Sequence, residues 1–122
     1  MPKLGLVPIT VPGAPAAWAE LAERFGRCPL TEILKPAIRY AEEGYPLTPI
    51  LGKSWARAYQ AYRKQEGPEF EAWFQTFAPQ GRAPEIGEMW GSKGHAESLR
   101  RIAVTGARDF TRGNWPVAWT AS

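Results

Sequence analysis

Apolar residues recur at helical spacing in four stretches of this chain, and glycines or prolines punctuate nearly every one. Trp18, Leu21, Ala22 and Phe25 fall at i, i+3, i+4 and i+7, the stripe of an amphipathic helix over residues 15–25. Pro15 suits its first turn because a missing N–H costs nothing there. Glu20 and Arg24 add an i,i+4 pair, and Gly26 follows as the stop. A tryptophan on such a stripe is expected to be mostly buried, so that Trp18→Ala would cost about 3–5 kcal/mol. A second stripe, Leu30, Ile33, Leu34, Ala37, Ile38 and Ala41, predicts a helix from residue 29 or 30 to 43, ended by Gly44. Pro36 lies inside it and predicts a kink near residues 32–36. Thr48-Pro49 reads as an N-cap followed by proline. It opens a third helix to about residue 64 that buries Leu51, Trp55, Ala58 and Tyr62. The fourth helix, residues 93–105, carries Ala96, Leu99, Ile102 and Ala103 on one side and closes at Gly106.

Between these lie weaker signals. Residues 70–77 are aromatic-rich and predict one or two helical turns, and residues 79–90 read as loop. Leu6, Ile9 and Val11 make residues 4–11 an extended N-terminal strand, with Pro8 interrupting and Pro12-Gly13 turning the chain. The predicted fold class is mainly α: several short helices with one N-terminal strand, in a single segment spanning residues 1–122. A lone strand without a pairing partner, beside narrow helical stripes, suits a part of something larger.

Composition changes this picture little. The chain has 122 residues with 12 glycines and 12 prolines, which favours short elements over long helices. Hydrophobic residues are 44% and charged ones 22%, a folding rather than a disordered composition. Net charge is only +3. Its densest basic group, Arg100, Arg101, Arg108 and Arg112, is interrupted by Glu97 and Asp109, so it reads as a solvated face, and no nucleic-acid partner is expected. No apolar run approaches the ~18 residues of a membrane span, and no membrane partner is expected. The N-terminus lacks the layout of a signal peptide.

Candidate chemistry is sparse. Cys28 and His95 are the only residues of their kinds, so no metal-ligand cluster forms and a Cys–His nucleophile pair would have to meet across the fold. Cys28 is expected as a small apolar residue between helices. His95 is expected as an exposed residue in a first helical turn. Ser92 caps that helix rather than attacks. Gly87, Gly91 and Gly94 do not form a phosphate-binding loop after a strand. Glu42-Glu43 and Glu69/Glu71 lie in charged, exposed surroundings. The tryptophans read as packing rather than as stacking platforms. No catalytic, cofactor-binding or metal-binding residue is expected within this chain.

Longer strings carry more. Residues 11–18 (VPGAPAAW) and 23–27 (ERFGR) are followed by 36–46 (PAIRYAEEGYP), 77–79 (FAP), 84–88 (PEIGE), 99–103 (LRRIA) and 110–113 (FTRG). In this order and spacing they resemble the middle of the large subunit of gamma-glutamyltranspeptidases, over residues 4–113. The resemblance implies a fragment of the αββα N-terminal-nucleophile hydrolase fold. In that family a precursor cleaves itself, and the new N-terminal Thr of the small subunit attacks a γ-glutamyl amide, with its free amine as base. The acyl group then passes to water or to an amino acid, as in glutathione metabolism.

None of that machinery is implied to lie here. Thr10, Thr31, Thr48, Thr76, Thr105, Thr111 and Thr120 are never followed by a second Thr, whereas the family nucleophile belongs to a Thr-Thr-His type motif. The carboxylate-binding arginine falls upstream, and the oxyanion groups belong to the small subunit. The implied partners are the remaining large subunit and the small subunit, with self-association of the isolated chain as a further expectation. Family members are often periplasmic or extracellular and some cytoplasmic, so the compartment stays open. Residues 114–122 depart from the family pattern, as expected of a truncated, frameshifted or excised piece. The alternative reading is a stand-alone helical module, derived from that scaffold, that binds a protein or small ligand.

Overall fold

The computed structural model describes residues 3–5 and 7–112. Its elements run α1 (Ala14–Phe25), α2 (Leu30–Ile33), α3 (Lys35–Glu43), β1 (Tyr45–Pro46), α4 (Pro49–Tyr62), α5 (Pro68–Phe77), β2 (Met89–Trp90), α6 (Lys93–Thr105) and α7 (Arg108–Arg112). They form two compact units. One holds the described residues up to Thr10 together with Tyr45–Trp90, and the other holds Val11–Gly44 and the described residues from Gly91 onward. The divergent residues 114–122 lie outside the described residues.

The expected N-terminal strand is not formed. Residues 3–5 bend, 7 and 8 turn, and 9–13 are irregular, while Leu6 lies outside the described residues. Gly5 sits at φ +87°, and Pro8 and Pro12 cannot donate to a ladder. The strands occur elsewhere, as a two-stranded antiparallel ribbon pairing Tyr45 with Trp90 and Pro46 with Met89. Two residues at the end of a Pro- and Gly-rich stretch have no period to reveal them, which is why residues 79–90 read as loop throughout.

The first unit is built on aromatic rings. The Thr48 side chain accepts the Leu51 N–H at 3.3 Å and so caps α4, with proline in its first turn. Gly67-Pro68 starts α5, which has 10 residues instead of the one or two turns expected. Glu69 and Glu71 occupy its first turn, where the helix dipole favours negative charge. Tyr62 stacks on Trp73 with centroids 4.3 Å apart, and Trp73 meets Phe77 at 5.5 Å. Phe77 lies parallel to Trp90 at 6.4 Å, and Trp55 meets Trp90 edge-on at 4.8 Å. Trp55 also donates its indole N–H to the Phe77 carbonyl at 2.9 Å. Leu47 is the largest fully buried side chain, and α4 buries Gly52 while Leu51 stays exposed.

The second unit packs on small residues. In α3 and α6, which lie against each other, Ala41, Ala96, Ile102 and Ala103 are buried. The stripe expected of α6 therefore faces inward, and its bounds match those expected. Pro36 does more than kink its helix: the chain breaks at Leu34 into α2 and α3. With no N–H at Pro36, the Glu32 carbonyl loses its helical partner. After α6, Gly106 takes the left-handed conformation (φ 60°, ψ 38°) expected of a helix stop. Ala107 follows at φ +64° with its side chain buried, a position that costs a non-glycine residue about 1–2 kcal/mol. The five-residue α7 that it launches is too short to leave a periodic signal.

Helix α1 reverses the expectation. Pro15 is buried and Ala16, Ala19 and Ala22 are half-buried, on the side that meets α2 and α7. Trp18 is 45% exposed, Leu21 58% and Phe25 78%. The large stripe points away from the packed side because close helix contact admits only short side chains. A cost of 3–5 kcal/mol for removing Trp18 does not follow from this placement. At the end of α1, Gly26 is extended (φ −75°), and a Cβ there would come within 2.3 Å of the Ala22 carbonyl oxygen. It is close approach, not a left-handed turn, that calls for glycine there.

Candidate functional site

The residues singled out for chemistry take structural posts. Ser92 begins α6, and its Oγ accepts the His95 N–H at 3.4 Å and lies 2.7 Å from His95 Nδ1. That is an N-cap with the histidine folded over it, as expected of both residues. Cys28 does not pack between helices: it is exposed in the turn joining α1 to α2, a turn too open to bury it. Glu42 pairs with Arg100, and Arg101 pairs with Asp109 at 3.4 Å, so two members of the basic group are neutralised locally. Among the described threonines, Thr48 caps α4, while Thr76 and Thr105 donate to the carbonyls of Ala72 and Arg101 one turn back. Among the described residues no group of His, Cys, Asp and Glu could hold a metal ion, and no helix is long and apolar enough to cross a membrane. A shallow depression of about 520 Å³ beside α1 is lined by alanines, Pro29, Leu30, Gly106, Glu20, Glu23 and Arg108. None of these is a hydroxyl or thiol nucleophile.

The most tightly built polar feature escaped sequence reasoning. Arg82 donates to both carboxylate oxygens of Glu88, at 2.8 and 3.1 Å, and to the Gln80 side-chain oxygen at 2.8 Å. Glu88 in turn accepts the Glu85 N–H at 2.8 Å. Around this clasp, the Tyr59 hydroxyl donates to the Gly81 carbonyl at 2.6 Å. Gly87 N–H donates to the Leu47 carbonyl at 2.8 Å, and Leu47 N–H donates to the Glu88 carbonyl at 2.9 Å. A Pro- and Gly-rich loop is thereby given one shape and tied to the ribbon. An opposite-charge pair six residues apart across Pro84 and Gly87 was the available signal, but i,i+6 pairing has no helical or strand template.

The bidentate hydrogen bond from Arg82, then the Glu85 N–H, holds the Glu88 carboxyl below its ordinary range, and the same pairing raises the Arg82 guanidinium. Because the Glu88 value is depressed on folding, the clasp's stabilisation is present above the ordinary carboxylate pKa. It is lost as pH falls through the lowered value. Amide exchange at Glu85 is expected to stay slow at neutral pH and to exceed its intrinsic acid-side trend only in that acidic window. Glu88→Gln is expected to bring the same opening to neutral pH. Unchanged protection of Glu85 in the variant would show that the loop holds its shape without the clasp.

The family model for gamma-glutamyltranspeptidase matches residues 1–117 of this chain. The chain belongs to the gamma-glutamyltranspeptidase family. The crystal structure of a cephalosporin acylase from Bacillus halodurans is similar at 53% identity and a TM-score of 0.90, covering 93% of this chain and 22% of that one. The acylase ACY 1 proenzyme of a Pseudomonas species (strain SE83) is 48% identical over 103 residues, 84% of this chain and 18% of its own length. The glutathione hydrolase-like YwrD proenzyme of Bacillus subtilis is 32% identical over 110 residues, 87% of this chain and 19% of its own length. This gamma-glutamyltranspeptidase-family chain thus spans about a fifth of the length of the relatives it matches. Its mainly helical structure, with one short ribbon, is a segment of a family whose members include hydrolases and acylases.

Proposed function

We propose that this chain is a scaffold segment of a gamma-glutamyltranspeptidase-type enzyme, inactive alone and completed by the rest of the large subunit and by the small subunit. The observation that carries this reading is the family match over residues 1–117 in a chain spanning 18–22% of the three similar proteins described above. The described residues add support, since Thr48 and Ser92 cap helices, Thr76 and Thr105 bond within their own helices, and His95 lies over the Ser92 cap. In this reading the N-terminal Thr of the small subunit gives its proton to its own free amine and attacks the amide carbonyl. The amine passes the proton to the departing nitrogen, and water or an amino acid then takes the acyl group. The donor is an acyl amide, γ-glutamyl as in glutathione. The acylases among the similar proteins bring the acyl amide of a cephalosporin into the same class. The segment's own part is to hold a fixed frame of helices and the clasped loop within the αββα core.

The test is turnover. The purified 122-residue chain, offered a chromogenic γ-glutamyl anilide and separately an acylated cephalosporin, is expected to release no amine above the buffer control. Turnover that co-purifies with the chain would overturn the proposal.

A further inference from the structure

Among the described residues the outward stripe of α1 is left largely open, and its make-up says what kind of partner would cover it. Trp18, Leu21 and Phe25 are 45%, 58% and 78% exposed along one line of the helix. Glu20 and Arg24, the charges beside that line, pair with each other at 2.5 Å. An apolar line with a self-neutralised border offers nothing to an anion, a cation or a nucleic acid. It offers a ridge for an apolar groove.

Two facts identify the occupant. The stripe leaves roughly 350–400 Å² of apolar surface open, given the size of such side chains. A stable association of separate molecules buries about 800 Å² per partner, so a second copy gripping α1 alone would not persist. A contact this small holds when the partner is already close, as it is within one polypeptide assembly. Such an assembly is on hand. The backbone of this chain recurs with a TM-score of 0.90 over 93% of its length inside a chain of which it forms only 22%.

We infer that the Trp18–Leu21–Phe25 face of α1 is the surface by which this segment docks onto the remaining polypeptide of its enzyme, through an apolar groove of that polypeptide. The inference rests on the scaffold reading and adds to it the face and the chemistry of the contact. Glutamine at the three positions removes the apolar ridge and keeps helix propensity.

The variant Trp18→Gln/Leu21→Gln/Phe25→Gln is to be compared with the unaltered chain in two settings. In the isolated chain, the melting temperature is expected to move by less than about 2 °C and hydrophobic-dye binding to fall. In a chimera, this chain replaces the matching segment of the Bacillus halodurans cephalosporin acylase. There the unaltered sequence is expected to give a folded protein, and the variant to melt at least about 5 °C lower or fail to fold.

Equal melting of the two chimeras would overturn the docking face and leave the scaffold reading standing. A chimera that does not fold even with the unaltered sequence would overturn the scaffold reading, and this inference with it. A variant that melts lower as an isolated chain would place the stripe in the segment's own packing. A dimer of the unaltered chain that the variant abolishes would assign the face to a second copy. Either result overturns the inference.

Discussion

Trp55→Ala is expected to destabilise the chain by about 3–4 kcal/mol. The ring is half-buried and joins α4 to both other parts of its unit, meeting Phe77 at 5.9 Å and Trp90 at 4.8 Å, each edge to face. Its indole N–H is also the donor to the Phe77 carbonyl, where α5 ends. Alanine removes the ring area, two favourable ring contacts and that donor together. Trp55→Phe keeps most of the apolar area but loses the donor and part of the ring, and is expected to cost about 1–2 kcal/mol. Urea unfolding followed by circular dichroism reads both values. A loss below about 1 kcal/mol for the alanine variant would mean that the ring cluster is not what holds α4 and α5 together.

Leu47→Ala is expected to cost about 3–5 kcal/mol, the upper part of the range for a buried leucine. Leu47 is 2% exposed, so nearly the whole side chain is transferred from water on folding. The cost depends on how far the surroundings can collapse into the space left behind. Here the backbone on either side is fixed, because the Leu47 N–H and C=O are bonded to Glu88 and Gly87. Those residues are in turn held by the Arg82–Glu88 clasp. Leu47→Met, nearly volume-conserving, is expected to cost less than about 1.5 kcal/mol. Equal losses for the two variants, measured in the same urea titration, would show that the site relaxes freely and that the clasp does not stiffen it.

Local physics made much of this structure legible from the residues. The Thr48-Pro49 cap, the Ser92 cap with its exposed histidine, the span of α6 and the Gly106 stop depend on neighbours within a turn, and the chain states them outright. The lesion at Pro36 was equally local, and only its severity, a break instead of a kink, depended on the surroundings. Family membership came from long ordered strings, which preserve a packing arrangement that no single motif encodes.

What failed were statements about sides and partners. The periodicity of α1 established that the helix has an apolar stripe, yet it could not say which side meets α2 and α7. A hydrophobic stripe rewards burial wherever an apolar surface is available, and that alone is why Trp18, Leu21 and Phe25 are expected to face inward. Of that stripe only Ala22 joins Pro15 and Ala19 on the less exposed side, because the distance between helices is a tertiary quantity that selects side chains by size. The N-terminal strand failed for the same kind of reason. A strand exists only when another backbone takes its hydrogen bonds, and residues 45–46 and 89–90, far apart in sequence, found each other while the described residues among 4–11 did not. The Arg82–Glu88 clasp likewise needed a loop folded back on itself before two opposite charges could meet. The sequence by itself determined the helices, their caps and their stops, since those energies are settled among residues within about four positions of one another. The choice of buried side, strand pairing and loop closure was decided only by the tertiary structure, because each depends on which distant surface arrives opposite.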